Sequence, residues 1–257
     1  MNFLSNLLLH FRLFKYSYGF VFLQRFIKKN SLLTTSMQCI KKGDIVIDVG
    51  ANNGGSSLLF SALVGKSGFI YAFEPNATIA KQLFSYVNYN YFNNISAFLL
   101  GIGSSNTIQK FYVDSRHGSQ ASTFSPLHKE AEYKNNKASF DELLVEIRTL
   151  DSFNFSRIDF IKIDVEGFEL ETLVGGINTI KKFYPIIYFE CFFDDNVSSM
   201  LDKKYSISKL FDELNYTLEI VECFTSDAFF PSTNIDLTTL SVSKYTGFEI
   251  LARPNIN

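Results

Sequence analysis

The chain has no tryptophan, only three cysteines, three histidines and five prolines in 257 residues. Each scarcity closes off some chemistry. Cys39, Cys191 and Cys223 are odd in number, widely spaced and without a C-x-x-C pair. That argues against a disulfide framework or a cysteine zinc site and fits a reducing, cytoplasmic setting. Charge of one sign is not in excess either: 24 basic and 26 acidic side chains leave a net charge of −2, so no nucleic-acid partner is expected. Long hydrophobic runs are missing. Arg12 and Lys15 interrupt the apolar start well short of the ~20 residues a spanning helix needs. The leading positive charge and small-residue cleavage site of a secretory signal are missing too, as are internal repeats and low-complexity tracts. What is abundant is phenylalanine (28) and tyrosine (13), most of which must form a core. The length suits one domain with a substantial interior.

Acidic residues are absent before Asp44, whereas Arg12, Lys15, Arg25, Lys28, Lys29, Lys41 and Lys42 are basic. Leu4, Leu7, Leu8 and Phe11 recur at helical spacing, as do Phe20, Leu23 and Ile27. We read residues 1–40 as a basic helical cap on a main domain over 41–257. The alternative is an amphipathic segment on an anionic membrane surface, which would make the protein membrane-peripheral.

Ile45, Val46, Ile47 and Val49 form a β-branched run short enough for a buried parallel strand. Gly50 to Gly55 reads G-A-N-N-G-G, and beyond it Leu58, Leu59, Ala62 and Leu63 take helical spacing. Strand, glycine turn, helix is how open α/β sheets place a ligand at the carboxyl ends of their strands. Gly68 to Pro75 predicts a second strand, with Pro75 opening a helix that carries Ala80, Leu83, Phe84 and Val87. The stretch 94–103 predicts a third strand, and 106–113 is expected to pair back onto it. The polar stretch Asp114–Ser139 is too long for a plain connection, and a loop of that length is expected to be functional or mobile. Further strands are expected at 143–153, up to Ile163, at 185–191, and at 216–222 and 247–254, the last two as an antiparallel pair. A short helix ending at Gly175-Gly176 and another over Tyr205–Leu214 fall between them. The alternation predicts an α/β fold: a three-layer αβα sandwich around one mixed sheet.

The turn lacks the G-x-G-x-x-G of a dinucleotide site and the G-K-[ST] of a phosphate loop. It still admits a ligand close to the backbone. Asp48 lies just before it, placed to accept from an ammonium group or to hold the loop's own amides. Glu74 ends the second strand, where a carboxylate can accept from both hydroxyls of a ribose. A zwitterion beside the first strand and a ribose beside the second is the layout expected for S-adenosylmethionine.

The segments "DIVIDVGANNGGSSLLFSAL", "GFIYAFEPN", "VEIRTLDSF", "IDFIKIDVEGFELETLVGG" and "GFEILARP" together resemble the FkbM-type methyltransferases. The resemblance runs from about Lys42 to Pro254. It implies the seven-stranded Rossmann-like mixed sheet of class I enzymes, S-adenosyl-L-methionine as cofactor, and methyl transfer mostly to hydroxyl oxygens. Carried over by position, Asp48, Gly50, Asn52 and Asn53 line the methionine side, Glu74 takes the ribose with Asn76 at its edge, and Gly101 faces the adenine. Asn53 departs from the family, which often has an apolar residue there. The acceptor implied is a sugar, glycan or related secondary-metabolite hydroxyl. The contrasting reading is a non-catalytic cofactor-fold protein that binds a partner or membrane through its basic N-terminus.

An alcohol is a poor nucleophile, and a base that takes its proton contributes ~10²–10⁴. Asp164, at the end of its strand beside the methyl donor, is the leading candidate for base or orienting group. Glu166 in the same turn is second, and His117, in the long polar stretch, is third. Asp164, Glu166 and Glu190 offer oxygens to a hard cation, but no histidine or dense aspartate cluster accompanies them, and no metal is expected. Phe124, Phe192, Phe193, Phe229 and Phe230 are candidates to stack on a sugar face.

Overall fold

A computed structural model describes residues 31–88, 93–114, 122–124, 140–224, 234–242 and 246–255. The first strand, β1 (Ile45–Val49), is buried along nearly its whole length, as its β-branched run demands. Beside it lie β2 (Phe69–Phe73), β3 (Ile95–Phe98), β8 (Phe160–Ile163), β9 (Ile186–Phe193), β10 (Tyr216–Cys223) and β11 (Thr246–Pro254). They form a seven-stranded sheet in the order β10-β11-β9-β8-β1-β2-β3. The strands from β3 to β9 run parallel, and β11 is inserted antiparallel between β9 and β10. This is the mixed sheet and antiparallel end anticipated above.

Alternation along the strands separates two cores. Ile47, Val49, Ile161, Ile163, Ile187 and Phe189 face the helices α4 (Glu169–Gly175), α5 (Ile177–Phe183) and α6 (Ser198–Glu213) through Leu173, Ile180, Ile207 and Phe211. Val46, Ile70, Ala72, Phe160, Tyr188 and Leu251 face the other layer. That layer comprises α1 (Ser31–Cys39), α2 (Gly55–Val64) and α3 (Ala77–Asn88), and it contributes Cys39, Phe60, Val64 and Leu83. The basic residues from Arg12 to Lys29 and the cap or membrane role expected of them lie outside the described residues. Among those described, no helix is long and apolar enough to cross a membrane.

Three expectations need correction. The stretch 106–113 does not pair with the third strand. After Phe98 the chain bends at Leu99-Leu100, and β4 (Gly101–Ile102), β5 (Thr107–Asp114), β6 (Ser122–Thr123) and β7 (Phe140–Arg148) build a second sheet in the order β4-β7-β5-β6. Glycine permits the switch. A Cβ on Gly101 would come within 2.7 Å of Ile147 and Phe124 side-chain atoms, so the chain enters the new sheet where only backbone fits. Next, α6 starts at Ser198 rather than Tyr205. Its first turns hide two inward lysines from any apolar pattern: Lys203 pairs with Glu169 at 2.6 Å, and Lys204 pairs with Asp195 and donates to the Leu240 carbonyl at 2.8 Å. Finally, α3 starts at Ala77, not at Pro75. Asn76 caps it, its Oδ1 accepting the Thr78 N–H at 3.0 Å.

Candidate active site

The parallel register dictates which residues meet. Val49 lies opposite both Phe73 and Ile163, and Ile163 lies opposite Phe189. The next residue on each strand, Glu74, Gly50, Asp164 and Glu190, therefore emerges in one row at one edge of the sheet. All four line a cavity of about 250 Å³, together with Asn52, Glu166 and Gly101. Phe111 of β5 and Phe124, just after β6, cover one side, with ring centroids 4.6 Å apart.

The glycine turn is held from both strands. Gly50 has φ +74°, and a Cβ there would sit 1.8 Å from the Asp164 carbonyl oxygen, so the turn lies directly on the backbone of the second turn. The Gly50 and Ala51 amides both donate to the Phe73 carbonyl at 3.0 Å. Glu74 is 5% exposed and accepts from two backbone amides, Asn52 N–H at 2.9 Å and Asn76 N–H at 2.8 Å, one to each oxygen. Burial outweighs those bonds and pushes its carboxyl up to about 6.

The other residues expected on the cofactor side divide. Gly50, Asn52, Glu74 and Gly101 face the cavity. Asp48 lies beneath the turn, fully buried, and its Oδ2 accepts from the Ser56 and Ser57 hydroxyls at 2.7 and 2.6 Å. It thus anchors the start of α2. Asn53 is exposed, and its Oδ1 accepts the Gly55 N–H at 3.2 Å. Asn76, though buried, spends its side-chain oxygen on capping α3.

On the side expected to meet the acceptor, the carboxyls of Asp164, Glu166 and Glu190 have oxygens within 4.8 Å of one another. Such spacing suits a hard cation and equally a shared proton. Asp164 and Glu190 share a hydrogen bond, which requires one of them to be protonated. Burial would raise Asp164, but the ammonium of Lys162 and the bond from Glu190 hold it below the usual carboxylate range. Burial, then the charges of Asp164 and Glu166, push Glu190 up to about 10. The proton therefore sits on Glu190, and Asp164 carries the charge. Glu166 occupies a left-handed turn position with φ 49°. His117 lies outside the described residues, as do Phe229 and Phe230. Phe193 is core and Phe192 half-buried, which leaves Phe124 as the cavity aromatic among the stacking candidates.

Sequence reasoning missed Lys162. Its side chain is 4% exposed, and its Nζ lies 3.1 Å from Asp164 Oδ2 and 3.4 Å from Asp48 Oδ1. The available signal was a lone lysine in the apolar strand Phe160-Ile161-Lys162-Ile163, because lysine is almost never fully buried unless paired.

A seven-stranded sheet of this order, with a glycine turn after β1 and a buried acid after β2, defines the class I methyltransferase fold. A family model for the methyltransferase FkbM domain matches residues 48–223, and the chain belongs to the FkbM methyltransferase family. Among solved structures it is similar to a methyltransferase FkbM from Methylobacillus flagellatus KT (19% identity, 59% of this chain and 33% of that one, TM-score 0.40). It is also similar to a putative rRNA-methylase from Clostridium thermocellum (12% identity, 89% and 98%, TM-score 0.49). A third similarity is to an S-adenosylmethionine-dependent O-methyltransferase from Thermotoga maritima (12% identity, 89% and 66%, TM-score 0.45). The chain thus spans a third of the Methylobacillus protein it matches. A search of curated proteins gave no match.

Proposed function

We propose that the protein uses S-adenosyl-L-methionine to methylate a hydroxyl of a sugar, glycan or related secondary-metabolite acceptor. The observation that carries this reading is the row of carboxyls from Glu74 to Glu190 around a cavity closed on one side by the glycine turn. An acid-lined cavity suits a sulfonium cation and repels phosphate. Each Glu74 oxygen already accepts one amide and keeps a lone pair for a ribose hydroxyl. The turn at Gly50 and Asn52 would take the methionine end, and the Gly101 side, under Phe111 and Phe124, the adenine.

The bound cofactor would supply an electrophilic methyl group. The chain's own contribution is position and proton management. Asp164, ionised and at the cavity wall, would accept the proton of the acceptor hydroxyl as that oxygen takes the methyl, the methyl–sulfur bond breaking to leave S-adenosylhomocysteine. Glu190 holds Asp164 in place through the hydrogen bond it donates. Glu166 is the second candidate for the proton. Calorimetric titration with S-adenosylhomocysteine, followed by mass spectrometry of deuterated methyl transfer from labelled cofactor into candidate glycans, tests the reading. Binding with transfer to a hydroxyl is expected. Binding without transfer to any acceptor would favour a non-catalytic role, and absence of binding would overturn the cofactor assignment.

A further inference from the structure

Lys162 has three partners in three places: the Gly50 carbonyl at 2.8 Å, Asp164 Oδ2 at 3.1 Å and Asp48 Oδ1 at 3.4 Å. They belong to the glycine turn, the turn after β8 and strand β1. The Gly50 peptides are thereby pinned on both sides, the amide by Phe73 and the carbonyl by Lys162. Among the described residues, Asp48 Oδ1 is buried with no hydrogen-bond partner beyond this ammonium. A buried ion pair is weak evidence for stability, because apolar residues of similar volume often serve as well. The cluster instead ties together two adjacent turns, the one at Gly50 and the one after β8, that both line the cavity.

We propose that Lys162 is the positioning residue for methyl transfer, a single buried cation that locks the cofactor-side turn to the acceptor-side carboxylate. The proposal rests on the function argued above. Its consequence is a linkage: one substitution must disturb cofactor binding through Gly50 and the charge state of Asp164 together. Asp164 faces Lys162 on β8, Asp48 on β1, Glu74 after β2, Glu190 on β9, Glu249 on β11 and Glu166 in its own turn. Apart from Lys162 these are all acids. Without the ammonium, Asp164 takes up its proton at higher pH.

The test uses the full chain with Lys162→Met and Lys162→Gln. S-adenosylhomocysteine affinity is read by calorimetry. The Asp164 carboxyl is followed by carbon NMR after ¹³C-aspartate labelling, its signal assigned through Asp164→Asn. Lys162→Met should weaken binding about tenfold or more and raise the Asp164 midpoint by at least about one pH unit. Lys162→Gln keeps a donor for the Gly50 carbonyl without the charge, so it should restore most of the affinity while the midpoint stays raised. If Lys162→Met does not fold, the glutamine variant decides on the Asp164 midpoint, which must rise while affinity is largely kept, and an unmoved midpoint overturns the proposal. A folded methionine variant that changes only one reading, or neither, overturns the proposal. Failure of the unsubstituted chain to bind S-adenosylhomocysteine overturns the parent reading and this one with it, whereas binding by the parent with unmoved variants rejects the positioning role alone.

Discussion

At the scale of single residues, the carboxyls divide by charge, Asp164 being held ionised and Glu190 protonated. Glu74→Ala removes charge-assisted bonds worth ~1.5–3 kcal/mol each, so S-adenosylhomocysteine affinity should fall at least about tenfold by calorimetry. The same carboxyl sets a pH dependence. Since burial lifts it to about 6, the free protein protonates Glu74 as the pH drops through that value. Affinity measured at pH 5 should be weaker than at pH 7.5, and Glu74→Gln should flatten that difference. Asp164→Asn keeps shape and hydrogen bonding but removes the carboxylate proposed as base. Turnover should drop by ~10²-fold or more with cofactor affinity little changed; an active variant would move the role to Glu166. Glu74 and Asp164 were legible in the sequence because each ends a strand beside a turn. The placements of Asp48 and Lys162 were not. A carboxylate before a glycine turn reads the same whether it faces a ligand or a buried lysine on β8, far along the sequence but on the next strand of the sheet, and only the register shows which.

At the scale of elements, the chain brings backbones together where side chains cannot fit. α4 ends against the second sheet, where a Cβ on Gly175 would lie 1.9 Å from the Gly103 carbonyl oxygen. Gly175→Ala should therefore displace α4, at a cost of about 1–3 kcal/mol or more, visible as a lowered melting temperature. Because α4 follows directly on the Asp164–Gly167 turn, S-adenosylhomocysteine affinity is the companion measurement. An unchanged melting temperature would show that α4 can shift freely. The elements of the parallel sheet were readable from short β-branched runs and the helical spacing between them. The second sheet was not. Segment 107–114 carries Phe111, Tyr112 and Val113, and segment 140–148 carries Leu143, Leu144 and Val145; such apolar runs mark strands but say nothing about which strand they pair with.

At the scale of the whole molecule, the acids at the sheet edge tie stability to pH. Burial, with the neighbouring Glu222 and Asp164, pushes Glu249 up to about 7, against an opposing hydrogen bond from Tyr188. The folded state then holds a proton that the unfolded chain releases near 4.5, so the contribution to stability is complete below that pH and lost as the pH rises through about 7. The melting temperature should fall between pH 5 and 8, and Glu249→Gln should reduce the slope; an identical slope would assign the dependence elsewhere. Local sequence by itself determined the order of strands and helices, the glycine turn and the acids at strand ends, because these follow from propensity and from patterns within a few residues. Tertiary structure alone decided the rest. It put Glu190 against Asp164, set Lys162 beneath both turns, and turned β4–β7 into a second sheet that roofs the cavity. Those outcomes depend on which distant strands become neighbours; burial then keeps a proton on Glu190, and the Lys162 ammonium keeps the charge on Asp164.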